Sequence, residues 1–256
     1  VLELRRGAGE FVTVDLIRDR IELAAVDSSV NVAPNGAKVG YIRLKQFNAN
    51  AAKDMRNAST ELSGDGVSGF VLDLRSNPGG LLMASVEIAR QWLDEGVIVS
   101  SSTRDGVSDV KRASGRALTQ APLVVLVNEG SASASEILSG AIQDNNRGVV
   151  VGKKTFGKGL IQSVRGLSDG SGMTVTIAKY LTPSGKDIHK LGITPDVNAN
   201  LSKAQAQRLK FEDLGTRNDP QYRVAESELG KLLRQNNSRP EVSFDGDVQL
   251  DVFRTN

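Results

Sequence analysis

The sequence predicts an α/β fold, and three observations carry that prediction. From Lys38 onward, short β-branched runs alternate with stretches of helical periodicity, the pattern of strands covered by helices. Glycine-rich turns stand where a strand gives way to a helix, as at Arg75-Ser76-Asn77-Pro78-Gly79-Gly80. The chain has 256 residues, 39% of them hydrophobic, enough for a large buried core.

The elements follow in order. Val1 to Arg6 and Phe11 to Leu16 read as two alternating strands joined by a turn at Gly7-Ala8-Gly9. Two strands do not stand alone. Residues 1–24 are therefore expected to be the tail of a small β domain, with Ile21 to Val26 leading into a main body at 25–200. There, Gly40 to Phe47 is a strand, Asn50 to Leu62 a helix, and Phe70 to Leu74 a buried strand. The glycine turn then opens a helix with Val86, Ala89 and Leu93 on its apolar side. Val97 to Ser101 is a strand, Thr103 to Gln120 a polar loop, and Leu123 to Val127 a strand that ends in Asn128-Glu129-Gly130. Ser131 to Asp144 carries Ile137, Leu138, Ala141 and Ile142 at helical spacing. Strands follow at Gly148 to Val151 and Leu160 to Val164, with a hairpin around Asp169 to Gly172, and the core closes near Val197. Residues 201–256 turn polar, with one amphipathic helix marked by Tyr222, Ala225, Leu229, Leu232 and Leu233. This last segment reads as an appendage rather than a second core.

Composition excludes several function classes. Lys and Arg number 32 against 30 Asp and Glu, a net charge of +2, and aromatics make up only 4%. Neither a nucleic-acid groove nor a stacking platform is advertised. There is no cysteine and one histidine, His189, so thiol nucleophiles, disulfides and two-histidine metal clusters are out and no cofactor is expected. Apolar runs such as Gly148 to Gly152 are strand-length, short of the roughly 20 residues a spanning helix needs. The chain opens at Val1 without a basic start, an apolar stretch or a cleavage site, so any export signal is expected to have been removed.

The chemistry concentrates in four places. Gly130-Ser131-Ala132-Ser133-Ala134-Ser135-Glu136 puts three hydroxyls on a strand-to-helix turn, where free N–H groups favour negative charge. The same residues fit the S-x-x-E capping box, which needs no catalysis to explain it. A serine nucleophile requires a positioned base. His189 lies in the polar stretch Gly185 to Lys190 with no evident orienting carboxylate, so it reads better as a structural or exposed residue. Asp144, about 16 Å along the helix from Ser133, reads as structural too. The better candidate is Lys158, whose flanking Gly157 and Gly159 let the backbone pack closely and bury a long side chain. To serve as a base near pH 7.5 a lysine must come down from its free value of ~10.4, which costs about 4 kcal/mol and is within what desolvation supplies. Alternation along the next strand places Lys158, Leu160 and Gln162 on one face, so that Gln162 could aim the neutral amine. A solvated loop lysine is the plainer alternative. The turn at Asp73 to Gly80 could add an oxyanion donor opposite the N–H of Ala134, or simply be a tight connection. Gly152 to Gly159 mimics a phosphate-binding loop, but Gly159 stands where a hydroxyl is needed and a strand follows where a helix must open.

Asp73-Leu74-Arg75-Ser76-Asn77-Pro78-Gly79-Gly80, Glu129 to Glu136, Thr155-Phe156-Gly157-Lys158-Gly159 and Gly192-Ile193-Thr194-Pro195-Asp196 together resemble the carboxyl-terminal processing peptidases, the tail-specific proteases. The similarity runs from about Leu2 to Val197. The resemblance implies a ClpP/crotonase-like α/β core with Ser133 as nucleophile, Lys158 as general base, Gln162 as the lysine-orienting residue, and the N–H groups of Gly79 and Ala134 as the oxyanion hole. It implies protein or peptide substrates with accessible C-termini, including the tail of a membrane protein, and a periplasmic or thylakoid-lumen setting. Residues 1–24 would then be the last strands of a truncated PDZ domain. Asp187 to Gly192 and the C-terminal extension are most similar to the cyanobacterial and chloroplast branch of the family. A rival expectation is a catalytically silent module that binds peptides or small ligands on the same scaffold.

Overall fold

The computed structural model describes residues 1–7, 9–17 and 24–237. Strands β1 (Leu2–Arg6) and β2 (Glu10–Val14) pair antiparallel as a separate two-stranded ribbon, with Leu2 opposite Val14. Leu2, Leu4 and Phe11 on it are exposed. Of the predicted lead-in at Ile21 to Val26, residues 21–23 lie outside the described residues.

The body is built on β3 (Val26–Val32), β4 (Lys38–Leu44), α1 (Ala51–Gly64), β5 (Gly69–Asp73), α2 (Leu82–Trp92), β6 (Val97–Thr103), β7 (Gly106–Arg112), β8 (Leu123–Val127), α3 (Ala134–Asp144), β9 (Val149–Gly152), β10 (Leu160–Gly166), β11 (Gly172–Leu181), β12 (Val197–Asn198), α4 (Lys203–Arg208) and α5 (Pro220–Asn237). A six-stranded sheet has the order β12-β9-β8-β5-β4-β3. All its pairs are parallel except β3 with β4. A second, antiparallel sheet runs β10-β11-β6-β7. The strand expected at Gly40 to Phe47 ends at Leu44, and Phe47 instead forms an isolated bridge with Gly80.

Alternation along the central strands sends side chains to two separate cores. On one face Ile42, Leu44, Phe70, Leu72, Leu123, Val125 and Val127 pack under Met55, Val86, Ile88, Trp92, Ile137 and Leu138 of α1, α2 and α3. On the other, Val39, Tyr41, Val71, Val124, Leu126 and Val151 meet Tyr222, Ala225 and Leu229 of α5. Strands buried on both sides need two covering layers. The segment after Asn200 therefore corrects its reading as an appendage: its helix is the second layer of the fold. The sequence shows the apolar stripe of α5 but not which surface the stripe covers.

Thr103 to Gln120 is not all loop, contrary to what its polar composition implied. It holds β7, which pairs with β6 across a two-residue loop at Arg104-Asp105. The residues of β7 are nearly all exposed, so no buried face imposes an apolar alternation that would mark a strand.

Parallel strands β5, β8 and β9 end along one edge of the sheet, and the segments that leave them carry the residues of interest. These segments are 74–80, 128–133 and 153–158.

Candidate active site

The turn after β8 separates its three serines by environment. Ser131 and Ser135 are fully buried and committed to structure: Ser131 Oγ donates to the Leu74 carbonyl at 2.8 Å and Ser135 Oγ to the Asn77 carbonyl at 2.9 Å. Ser133 differs. It is half-buried and caps α3 with φ +56, a left-handed backbone that non-glycine residues rarely adopt. Ser133 and Glu136 have the outline of a capping box, but only one arm is a hydrogen bond: Glu136 Oε2 accepts from the Ser133 N–H at 2.8 Å. The N–H groups of Glu136 and Ile137 turn to the Ser133 carbonyl, leaving the hydroxyl out of the cap.

Glu136 is fully buried and does much more than close a cap. Its Oε1 accepts from Thr155 Oγ1 and from the Gly157 N–H, each at 2.6 Å, while Oε2 accepts from the Lys158 N–H at 2.8 Å as well as from Ser133. One oxygen thus bridges the backbones of Ser133 and Lys158, whose nitrogens lie no farther apart than the two 2.8 Å bonds laid end to end. In the sequence Glu136 is visible only as the last residue of the S-x-x-E pattern, which implies a cap. Its long-range role has no signal in local spacing.

The loop that carries Lys158 is gripped from its other side as well. The Lys190 N–H donates to the Gly157 carbonyl at 2.8 Å, and the Tyr180 N–H to the Gly159 carbonyl at 2.7 Å. A Cβ on Gly159 would collide with the His189 nitrogen. The flanking glycines therefore do allow close backbone packing, but the Lys158 side chain itself is exposed, contrary to the burial expected of it. Gln162 is exposed as well, and an irregularity in the register between Ile161 and Gln162 interrupts the alternation that was to align it with Lys158.

Opposite Ser133 lies the arch at 74–80. Gly79 has φ +98, and a Cβ there would stand 2.6 Å from the Ala132 carbonyl oxygen and 2.9 Å from the Ala134 nitrogen. Only glycine lets the two backbones approach this closely. The Gly79 N–H donates to Asn77 Oδ1 at 2.9 Å. Ala134, first residue of α3, has no acceptor for its N–H in the helix ahead of it. Asn77 is fully buried and ties the arch down, donating from Nδ2 to the Leu44 carbonyl at 2.7 Å and accepting at its own carbonyl from Ala132 and Ser135.

The family model for Peptidase family S41 matches residues 38–199, a stretch that contains every one of these residues. The chain belongs to Peptidase family S41. It is 50% identical over 210 residues to a carboxyl-terminal-processing protease of Synechocystis sp., covering 82% of this chain and 48% of that protein. It is likewise 50% identical over 190 residues to carboxyl-terminal-processing peptidase 3, chloroplastic, of Arabidopsis thaliana, covering 72% and 37%. Among solved structures, a photosystem II D1 C-terminal processing protease superposes with a TM-score of 0.68 at 42% identity, over 86% of this chain and 57% of the other. The chain spans about half the length or less of these two curated relatives.

Asp144 and His189 of this S41 chain are engaged at turns. Asp144, at the far end of α3, accepts from the Ser184 N–H at 2.9 Å. Partial burial opposes its charge, but hydrogen bonds from Thr182 and Ser184, with Lys186 nearby, hold it below the usual carboxylate range. The backbone N–H of His189 donates to Asp187 Oδ1 at 2.8 Å, closing a turn rather than orienting an imidazole. The segment Gly152 to Gly159 leads into β10 rather than a helix, so the phosphate-loop likeness ends there.

Proposed function

We propose that the chain is the peptidase portion of a serine endopeptidase that trims the C-terminal region of protein substrates. Ser133 attacks the scissile carbonyl, and Lys158 takes the hydroxyl proton and later delivers it to the leaving amine; water then hydrolyses the acyl-enzyme by the same route in reverse. The oxyanion is met by the N–H groups of Ala134 and Gly79, and Gln162 aims the amine. The reading rests above all on Glu136, whose single carboxylate ties the backbones of Ser133, Gly157 and Lys158 into one unit. With its backbone anchored there, the Lys158 side chain swings from solvent over Ser133 in the proposed reaction, and a bound peptide covering it strips its water. Gly79 N–H must likewise turn from Asn77 Oδ1 toward the substrate oxygen.

The names of the relatives favour protein substrates processed at their C-termini. In this proposal the substrates present accessible C-termini, including the tail of a membrane protein, and the setting is the periplasm or the thylakoid lumen. No cofactor has a part in this chemistry. The ribbon of β1 and β2 is read as the last strands of a truncated PDZ-like domain that would present such tails.

The test is turnover of a peptide with a free C-terminus. Ser133→Ala is expected to abolish cleavage and to lose labelling by a serine-directed acylating probe; Lys158→Ala should cut kcat by about 10³-fold or more with the fold intact. Substantial cleavage by either variant would remove the dyad from the mechanism. Labelling of the native protein that persists in Ser133→Ala would favour the silent binding module.

A further inference from the structure

The arch that carries Gly79 begins on a buried charge network that reaches outside the matched family region, into the C-terminal helix. Arg75 is 6% exposed, and Asp73 and Asp219 are fully buried. The Arg75 guanidinium lies between the two carboxylates: Nη2 donates to Asp73 Oδ2 at 2.5 Å and to Asp219 Oδ2 at 2.6 Å. Nε donates to Asp73 Oδ1 at 3.0 Å, and Nη1 to Asp219 Oδ1 at 3.1 Å and to Gln221 Oε1 at 3.0 Å. Tyr41 Oη donates to Asp73 Oδ2 at 2.7 Å. Burial by itself would make the guanidinium easier to deprotonate, but Asp73 and Asp219 outweigh it and hold the charge firmly.

From Arg75 the chain is held as far as Asn77. The Arg75 N–H closes a turn onto Asp73 Oδ1 at 2.9 Å, and Ser76 takes a left-handed φ of +57 with its N–H on Asn128 Oδ1 at 2.7 Å. The next residue, Asn77, accepts the Gly79 N–H. Meanwhile Asp219 also accepts the N–H groups of Gln221 and Tyr222 at the start of α5, at 3.0 and 3.2 Å, and that of Gly215 at 3.2 Å. The carboxylate therefore fixes Arg75 to the helix on the far face of the sheet.

We infer that Asp219 is a positioning residue: through Arg75 it fixes the base of the arch from which the Gly79 N–H turns to the reacting carbonyl, so the C-terminal helix is part of the catalytic framework. This rests on reading Gly79 as an oxyanion donor. It explains why a guanidinium is kept buried under the arch, where an unpaired charge would be strongly unfavourable.

Asp219→Asn tests it in the full chain, because asparagine is as good a helix cap as aspartate, while its NH2 takes the place of one acceptor oxygen and the negative charge facing Arg75 is gone. The expected result is a 10- to 100-fold fall in kcat, of the size a displaced catalytic group produces, with KM within about twofold of the native value. Amide exchange should quicken at Ser76, Asn77, Gly79 and Gly80 while β8 stays protected. A lower melting temperature with native kcat and native exchange in the arch would overturn the inference, and so would a change confined to KM. The exchange readout decides the matter even if the native protein cleaves no peptide, a result that would sink the proposed function alone. Should Asp219→Asn fail to fold, Asp219→Ser keeps a capping oxygen for α5 while taking the carboxylate away from Arg75. Faster exchange in the arch then supports the inference, and native exchange overturns it.

Discussion

At the scale of single residues, Glu136 is the group on which the arrangement turns. Four donors converge on a carboxylate with no access to water, so its two oxygens serve Thr155, Gly157, Ser133 and Lys158 at once. Glu136→Gln replaces one acceptor oxygen by an NH2 that must face two donors. Stability is expected to fall by about 1–3 kcal/mol, the cost of leaving buried polar groups unpaired, and peptide turnover should be lost with it. Thermal unfolding alongside a cleavage assay checks both; a variant with native stability and activity would show that the carboxylate anchors nothing. The segment Gly130 to Glu136 was legible as a strand-to-helix turn because strand, turn and helix cap follow one another locally. What singles out Ser133 among three serines was not, since it depends on Leu74 and Asn77, more than fifty positions away, engaging its neighbours.

Among the elements, α5 is the instructive case. Its apolar positions were visible as a stripe, yet they cover β5, β8 and β9 from the face opposite α1, α2 and α3. Leu229 is fully buried there and packs against the backbone of Gly69, where a Cβ would stand 2.9 Å from its methyl group. Leu229→Ala should therefore cost about 2–5 kcal/mol in a denaturant titration. Val164→Ala, at a side chain 76% exposed on the edge strand β10, should change stability by less than about 0.5 kcal/mol. Equal effects at the two positions would mean that α5 is the appendage its composition suggested. The strand β7 went unread for the converse reason: nothing buries it, so nothing in its residues alternates.

At the scale of the whole molecule, two buried tyrosines join the layers and make stability sensitive to alkali. Tyr222 of α5 meets Tyr41 of β4 edge to face, with ring centroids 5.7 Å apart. Burial pushes the Tyr222 hydroxyl up to about 12, and burial beside Asp73 raises that of Tyr41 further. The unfolded chain gives up these protons near pH 10, before the folded one does. The stabilisation is therefore complete below pH 10 and lost as pH climbs through about 12. A melting temperature that holds level across that interval would refute the placement of Tyr222. By itself the sequence determined the class of fold and the order of most of its elements, because those features are written in periodicity and local turn chemistry, and it carries four motifs that together resemble one peptidase family. The tertiary structure alone decided that Glu136 joins two loops, that Asp219 reaches under the arch at 74–80 by way of Arg75, and that Lys158 rests in solvent. Each of these depends on contacts between segments far apart in the chain, whose geometry comes from sheet order and layer packing, and local sequence spacing carries no record of either.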